Sequence, residues 1–282
     1  MDKLNVRQPA VAGLFYPVDA RTLIRQVTEL LERAKPKKIK GELKALISPH
    51  AGYTYSGLTA AYGYKLLENK KYDTVVIISP SHREYFKGVS IFPGNCYKTP
   101  LGDVPIDMEL SNEIIAEEKL VFLSMSGHHD EHALEVHLPF LQMTLEKFKL
   151  VPLVMGDQTP EYCIRLGQAL AKVLKSAAKR KKILIVASTD LSHFHPYETA
   201  QQLDQRAIDA IENFDHIQLL NELYNQTTEA CGGGPTAAAM IAAKGLGANK
   251  VEKLFSCNSG DVTGEKREVV GYLSAVIYKS VD

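Results

Sequence analysis

Nine histidines are spread along the sequence, and three of them follow segments built on one plan. Leu46-Ile47-Ser48-Pro49-His50 is echoed by Ile77-Ile78-Ser79-Pro80-Ser81-His82, and again by Val186-Ala187-Ser188-Thr189-Asp190-Leu191-Ser192-His193. Each reads as a buried strand, then a serine, then a polar turn that carries an imidazole. In an open parallel sheet the carboxyl ends of the strands face one crevice, where ligands normally bind. Strands so placed bring His50, His82 and His193 together, although 32 and 111 positions separate them in the chain. Neutral imidazole is a common ligand of zinc, copper, iron and nickel, so the expected chemistry is that of a metal centre. Taken singly, each histidine reads better as a turn residue bonded to backbone. Their shared position at three strand ends is what argues for a common site.

Two imidazoles do not complete such a site. Cys231, in Glu229-Ala230-Cys231-Gly232-Gly233-Gly234-Pro235, is the best third donor. The glycines let backbone approach a buried centre, and Pro235 suits the first turn of a helix. A thiol just ahead of a helix is biased toward the thiolate that binds metal. A small buried hydrophobe beside a tight turn is an equal reading of the same cysteine.

The segment from His128 to His137, HHDEHALEVH, is the densest group of ionisable side chains. It matches neither H-E-x-x-H nor H-x-x-E-H, the zinc-protease signatures. On a helix His132 and Glu135 are neighbours, whereas His137 lies on another face. His132 and Glu135 therefore suit contact with a substrate, or support of the ligands, better than an independent metal site. A capped helix start on a solvated face competes for His128, His129 and Asp130. Asp190 can fix the tautomer of His193 for proton transfer. Tyr53 and Tyr55 stand close enough to His50 to line the crevice, and suit core packing equally well.

These residues need a layered frame. The spacing predicts a helix capped by Asp19 over Leu23–Ala34, and short buried strands at Ala45–Ser48, Thr74–Ser79, Leu150–Val154 and Ile183–Ser188. Between them it predicts a helix through about Leu67, another near Asp107–Glu118, a long amphipathic helix over Leu134–Phe148 and one over Pro160–Ala178. Further strands are expected near Val89–Phe92 and Val121. One helix over Glu198–Tyr224, one over Pro235–Lys244, and closing strands at Val251–Ser256 and Val269–Tyr278 finish the pattern. Strands alternating with helices imply crossover units: an α/β protein with a mostly parallel central sheet flanked by helices. No linker, tandem repeat or low-complexity segment interrupts it, so residues 1–282 read as a single domain.

Apolar residues make up 45% and charged residues 23%, the ordinary globular balance. Lysine plus arginine equals aspartate plus glutamate at 33 each, which argues against a nucleic-acid partner that demands a basic excess. Four scattered cysteines without a C-x-x-C pair argue against a zinc ribbon or a thioredoxin-like centre. No signal peptide and no membrane-length apolar run is visible, so a cytoplasmic location with reduced thiols is expected. Phosphate loops, dinucleotide fingerprints and the G-x-S-x-G elbow are missing too.

With these blocks assembled, the sequence resembles the Memo family. The likeness runs from Arg7-Gln8-Pro9-Ala10-Val11-Ala12-Gly13-Leu14-Phe15-Tyr16-Pro17 through the segments of His50, His82, Glu131–Phe140 and Asp190–His193 to Ala230-Cys231-Gly232. A bacterial- or archaeal-type member fits better than the animal signalling protein. The family is similar in fold to LigB-type class III extradiol dioxygenases, which use non-haem iron. By that resemblance His50, His82 and Cys231 occupy the metal-ligand positions, and Asp190 and His193 sit beside the metal. The dioxygenases use two histidines and a carboxylate, so a thiol at the third position sets this chain apart and favours softer metals.

The leading expectation is a metal-dependent redox protein, oxygenase-like, using iron or copper on an unknown small molecule, with zinc as a further candidate. His193 is then the acid/base group, with Asp190 orienting it. A non-catalytic scaffold that binds a peptide or small ligand is the second reading, since animal relatives are associated with phosphotyrosine-peptide binding. Hydrolysis by zinc-activated water or by Cys231 is the third. No membrane partner is expected, and a homo-oligomer is compatible with the sequence.

Overall fold

The computed structural model describes residues 5–281. Its strands are β1 (Val6–Arg7), β2 (Gly41–Ser48), β3 (Thr74–Pro80), β4 (Val89–Ile91), β5 (Cys96–Thr99), β6 (Gly102–Pro105), β7 (Val121–Leu123), β8 (Lys149–Met155), β9 (Ile183–Ser188), β10 (His193–His195), β11 (Lys250–Asn258) and β12 (Val269–Ser280). The helices are α1 (Ala20–Arg33), α2 (Tyr53–Lys65), α3 (Met108–Glu117), α4 (Leu138–Thr144), α5 (Pro160–Ala177), α6 (Tyr197–Glu212), α7 (His216–Tyr224), α8 (Gly233–Gly245) and the short α9 (Ser259–Thr263).

Successive side chains on a strand point to opposite faces, and here both faces are covered. Ala45, Ile47, Val76, Ile78, Ile185 and Ala187 join one apolar core with α5 and α8. Leu46, Val75, Ile77, Leu184 and Val186 join the other, with α1, α2 and α4. This explains why β3 and β9 read as unbroken apolar runs rather than as alternations.

The main sheet runs β10-β12-β2-β9-β3-β8-β4-β7, with β11 also paired to β12. The interior strands β2, β9, β3 and β8 are parallel. Antiparallel pairs close both margins, β2 with β12 on one side and β8 with β4 on the other, so the sheet is mixed around a parallel centre. The three segments that end alike are β2, β9 and β3, which lie side by side. Ser48 pairs with Ser188, and Ile78 with Ala187, so their carboxyl ends are level.

Two expectations need correction, and a third feature is one that no expectation covers. The long helix over Leu134–Phe148 is instead a single tight turn, Glu135–His137, followed by the seven-residue α4. Every residue from Ala133 to Leu141 is buried, so no solvated face exists for an amphipathic helix. The helix over Glu198–Tyr224 is divided into α6 and α7. Phe214 takes a left-handed φ of 54°, its carbonyl receives Lys244 Nζ at 2.6 Å, and Asp215 then caps α7 through the amides of Ile217 and Gln218. Third, β1, β5 and β6 form a separate small sheet that the sequence did not announce, its strands being only two to four residues long. Asp19 caps α1 through the Thr22 amide, as its spacing predicts. Among the described residues no helix is long and apolar enough to cross a membrane.

Candidate metal centre

The turns that leave β2, β3 and β9 meet above the level ends of those strands. His50 and His82 come from the first two, and their ring centroids stand 5.0 Å apart. His132, from the turn before α4, stacks on His82 at 4.7 Å and meets His50 edge-on at 5.4 Å. One ligand atom from each of these three imidazoles lies within 4.8 Å of the others, a group that could hold a metal ion.

Hydrogen bonds set the protonation pattern of two of the rings. Ser188 Oγ donates to the carbonyl of Ala133 at 2.6 Å, which uses its only hydrogen. The contact of His50 Nδ1 with the same oxygen, 2.7 Å, therefore has the imidazole as donor. His50 Nε2 is left without a hydrogen, as an acceptor. His82 Nδ1 faces Glu131 Oε1 at 3.0 Å. Burial alone raises the Glu131 carboxyl, but the bonds from His82 outweigh it and hold the group down at about 2. An ionised carboxylate only accepts, so His82 Nδ1 donates and Nε2 is the ring nitrogen left to face a ligand. This pairing of a carboxylate or hydroxyl with the far ring nitrogen is the usual support of metal-binding histidine. Burial, together with the neighbouring imidazoles, drives His50 well below the ordinary histidine range and His132 down to about 4. Both shifts favour the neutral imidazole, the form that binds metal.

His132 is held differently. Its amide donates to Glu131 Oε1 at 2.9 Å, whereas its Nδ1, 3.2 Å from the same oxygen, lies off the hydrogen-bonding direction and is buried without a partner. A buried ring nitrogen without a partner, in a trio of imidazoles whose ligand atoms are mutually close, fits the donor set of a transition metal.

Cys231, from the turn before α8, borders this trio of imidazoles on the His50 side and lies outside the group of mutually close ligand atoms. Its Sγ lies 3.2 Å from His50 Nε2 and receives the Asp190 amide at 3.2 Å. Burial first, and the Asp190 carboxyl second, push this thiol far above its ordinary range, against the thiolate bias expected ahead of a helix. Gly232 lets the turn close on β9, because a Cβ there would fall onto Ser188 O.

Asp190 lies beneath His50. Its Oδ1 accepts the His50 amide at 2.8 Å, and its Oδ2 stands 3.9 Å from His50 Nε2. Burial raises the carboxyl to about 7, although the His50 amide and His82 pull the other way. His193 enters on β10, and its amide donates to Glu229 Oε2 at 3.3 Å. Burial lowers its imidazole below the ordinary range. Its ring borders an open cavity of about 720 Å³ that Cys231 also lines.

Glu135 and Tyr53 serve the wall of the site. Glu135 is fully buried, pairs with Arg7 and the Tyr16 hydroxyl, and accepts the amides of Ala10 at 2.7 Å and Val11 at 3.1 Å. It thereby pins the segment Arg7–Tyr16. That segment lays Phe15 against the His132 ring at 4.7 Å, while the Phe15 carbonyl takes the Tyr53 amide at 2.8 Å. The Tyr53 hydroxyl donates to Val136 O at 2.7 Å, and its ring packs on Tyr16 and Phe140. His137 turns into the core on Tyr64, 2.8 Å away. Glu131 and Ser188 are the site residues that spacing alone does not single out. Their one signal is position, a carboxylate beside His132 and a serine at a strand end.

A family model described as Memo-like protein matches residues 7–276. A MEMO1 family protein of Methanosarcina mazei is 38% identical, over 97% of this chain and 100% of the relative. One from Methanocaldococcus jannaschii is 38% identical over 97% and 99%. Among solved structures, an uncharacterized protein of Escherichia coli K12 covers 83% of this chain and 99% of its own, with a TM-score of 0.57 at 15% identity. At that identity the likeness is one of fold.

Proposed function

We propose, for a chain that belongs to the Memo-like protein family, that the cluster of His50, His82, His132 and Cys231 is a transition-metal centre with oxygenase-like redox activity on a small organic substrate. The observation that carries this reading is the direction of the imidazoles. Ser188 and Glu131 occupy the Nδ1 atoms of His50 and His82, which leaves the Nε2 atoms to face an ion, and one ligand atom of each of the three rings lies within 4.8 Å of the others.

The donor set decides the class of ion. Imidazole nitrogens with one sulfur suit iron, copper or zinc and do not suit magnesium or calcium. Donors at about 2.1 and 2.3 Å from one ion stand roughly 3.1–3.6 Å apart for angles between square and tetrahedral. The 3.2 Å between His50 Nε2 and Cys231 Sγ falls in that interval. When bound, any of these ions would supply Lewis-acid chemistry, and iron or copper would add one-electron chemistry.

The chain's own groups do the rest. His193, neutral and bordering the cavity, accepts or returns a proton at its imidazole. Asp190 fixes the backbone that carries His50, and Glu229 fixes the backbone that carries His193. Leu191 and the α7 side chains Leu220 and Leu223 keep that side of the cavity apolar. A cysteine-nucleophile hydrolase is disfavoured, because burial raises the metal-free Cys231 thiol far above its ordinary range, and a bound ion that favoured the thiolate would occupy its lone pairs.

Elemental analysis of protein purified without oxygen tests this reading. Near-stoichiometric iron or copper is expected, lost on His50→Ala. Protein that carries neither metal, and takes up neither on reconstitution, overturns it.

A further inference from the structure

The cavity beside Cys231 has a lining whose charges are unbalanced. Its volume, about 720 Å³, lies within the range of small-molecule sites. Leu220, Leu223 and Tyr224 of α7 form one wall, and Tyr224 is 77% exposed at the rim. Neither lysine nor arginine is among its described lining residues. The one carboxylate there is Glu229.

A glycine-rich turn leading into a helix is usually suited to anions, which gather on unpaired amides at the helix start. Here those amides are taken. The Gly232 amide donates to Thr189 Oγ1 at 3.0 Å, Gly233 to Ala230 O at 3.1 Å and Gly234 to Gln158 Oε1 at 2.9 Å. Pro235 has none to give. An anionic group entering the cavity would meet no cation and no free amide of this turn, and it would face Glu229.

Glu229 retains capacity for a ligand. Its Oε1 holds His195 Nε2 at 2.8 Å and its Oε2 holds the His193 amide at 3.3 Å, which together use two of about four lone-pair sites. The side chain is 44% exposed. We infer that the cavity selects an apolar, amine-bearing molecule whose ammonium pairs with Glu229 while its hydrocarbon body lies on Leu220, Leu223 and Tyr224. This names the substrate class of the centre proposed above and rests on that reading for the reaction, though not for the binding.

The test uses three probes that share one phenylethyl body: phenethylamine, phenylethanol and phenylpropionate. Binding is measured by calorimetry or ligand-observed NMR at low salt, on the full chain, with and without chelator. Phenethylamine is expected to bind roughly tenfold more tightly than phenylpropionate, with phenylethanol between them. Glu229→Gln keeps an acceptor for His195 and should abolish the preference. Tyr224→Lys, an exposed change that spares the fold, should reverse it. Equal or tighter binding of the carboxylate, a preference that survives Glu229→Gln, or no binding of any probe overturns the inference. Metal content is read separately on the same samples. Loss of the metal reading with charge selectivity intact removes the chemistry and leaves the cavity, and the reverse result does the opposite.

Discussion

His50 Nε2 and Cys231 Sγ face each other at 3.2 Å although 181 positions separate the two residues in the chain. Two things bring them together. The parallel ends of β2 and β9 are level, and the Gly232 turn closes directly on Ser188. If this pair shares an ion, loading with cupric ion should produce a sulfur-to-metal charge-transfer absorption. Cys231→Ala should remove that band while the imidazole-bound ion remains. An unchanged spectrum in Cys231→Ala would take the sulfur out of the donor set.

Glu131 and Glu135 stand four positions apart and act on different quantities. Glu131→Gln removes the ionised acceptor that fixes His82 Nδ1–H, so metal affinity should fall about 10–100-fold with little change in the urea midpoint. Glu135→Gln leaves the buried Arg7 guanidinium without its charge partner, a change that typically costs about 3–5 kcal/mol. Its effect should appear in the urea midpoint. Titrations of both variants that show the opposite assignment would contradict the geometry.

Among the histidines, His82→Ala should strip metal, whereas His128→Ala should not. The His128 ring is enclosed by Tyr97 and by Ser90, whose hydroxyl lies 3.1 Å from its Nε2, and it serves the packing. Elemental analysis that finds equal metal in the two variants would count against the cluster.

A further prediction concerns pH. Burial raises the Asp204 carboxyl to about 6, against the pull of the Ser192 amide. The folded state therefore holds a proton that the unfolded state has already released above its ordinary value of 3.8. Stability should fall as pH rises from about 4 to about 6, by about 3 kcal/mol from this group. Asp204→Asn keeps an acceptor for Ser192 and lacks the titration. The stability difference between variant and wild type should thus grow in the variant's favour across that interval. Parallel pH profiles in urea unfolding would show that Asp204 does not titrate there.

Much of this arrangement can be read from residue order. The recurring Ser and His at the ends of three apolar runs marks neighbouring parallel strands, and β2, β9 and β3 are neighbours. Other features are not legible because partners distant in sequence create them. Glu135 stands between Leu134 and Val136, and its pairing with Arg7, 128 positions earlier, shows how a carboxylate is buried there. The same burial turns the expected amphipathic helix after His132 into a tight turn with every side chain enclosed. Asp190 suits an orienting partner for His193 on sequence, whereas its carboxylate accepts the His50 amide. His132 is read as a contact residue by its spacing from Glu135, and the stacking on His82 draws it into the ring cluster.

The most direct measurement is anomalous diffraction, at the iron and copper edges, from crystals of protein purified without oxygen. One peak is predicted at about 2.0–2.4 Å from both His50 Nε2 and His82 Nε2, with His132 and Cys231 as the next donors. No peak there, or a peak bound by other residues, would contradict the account.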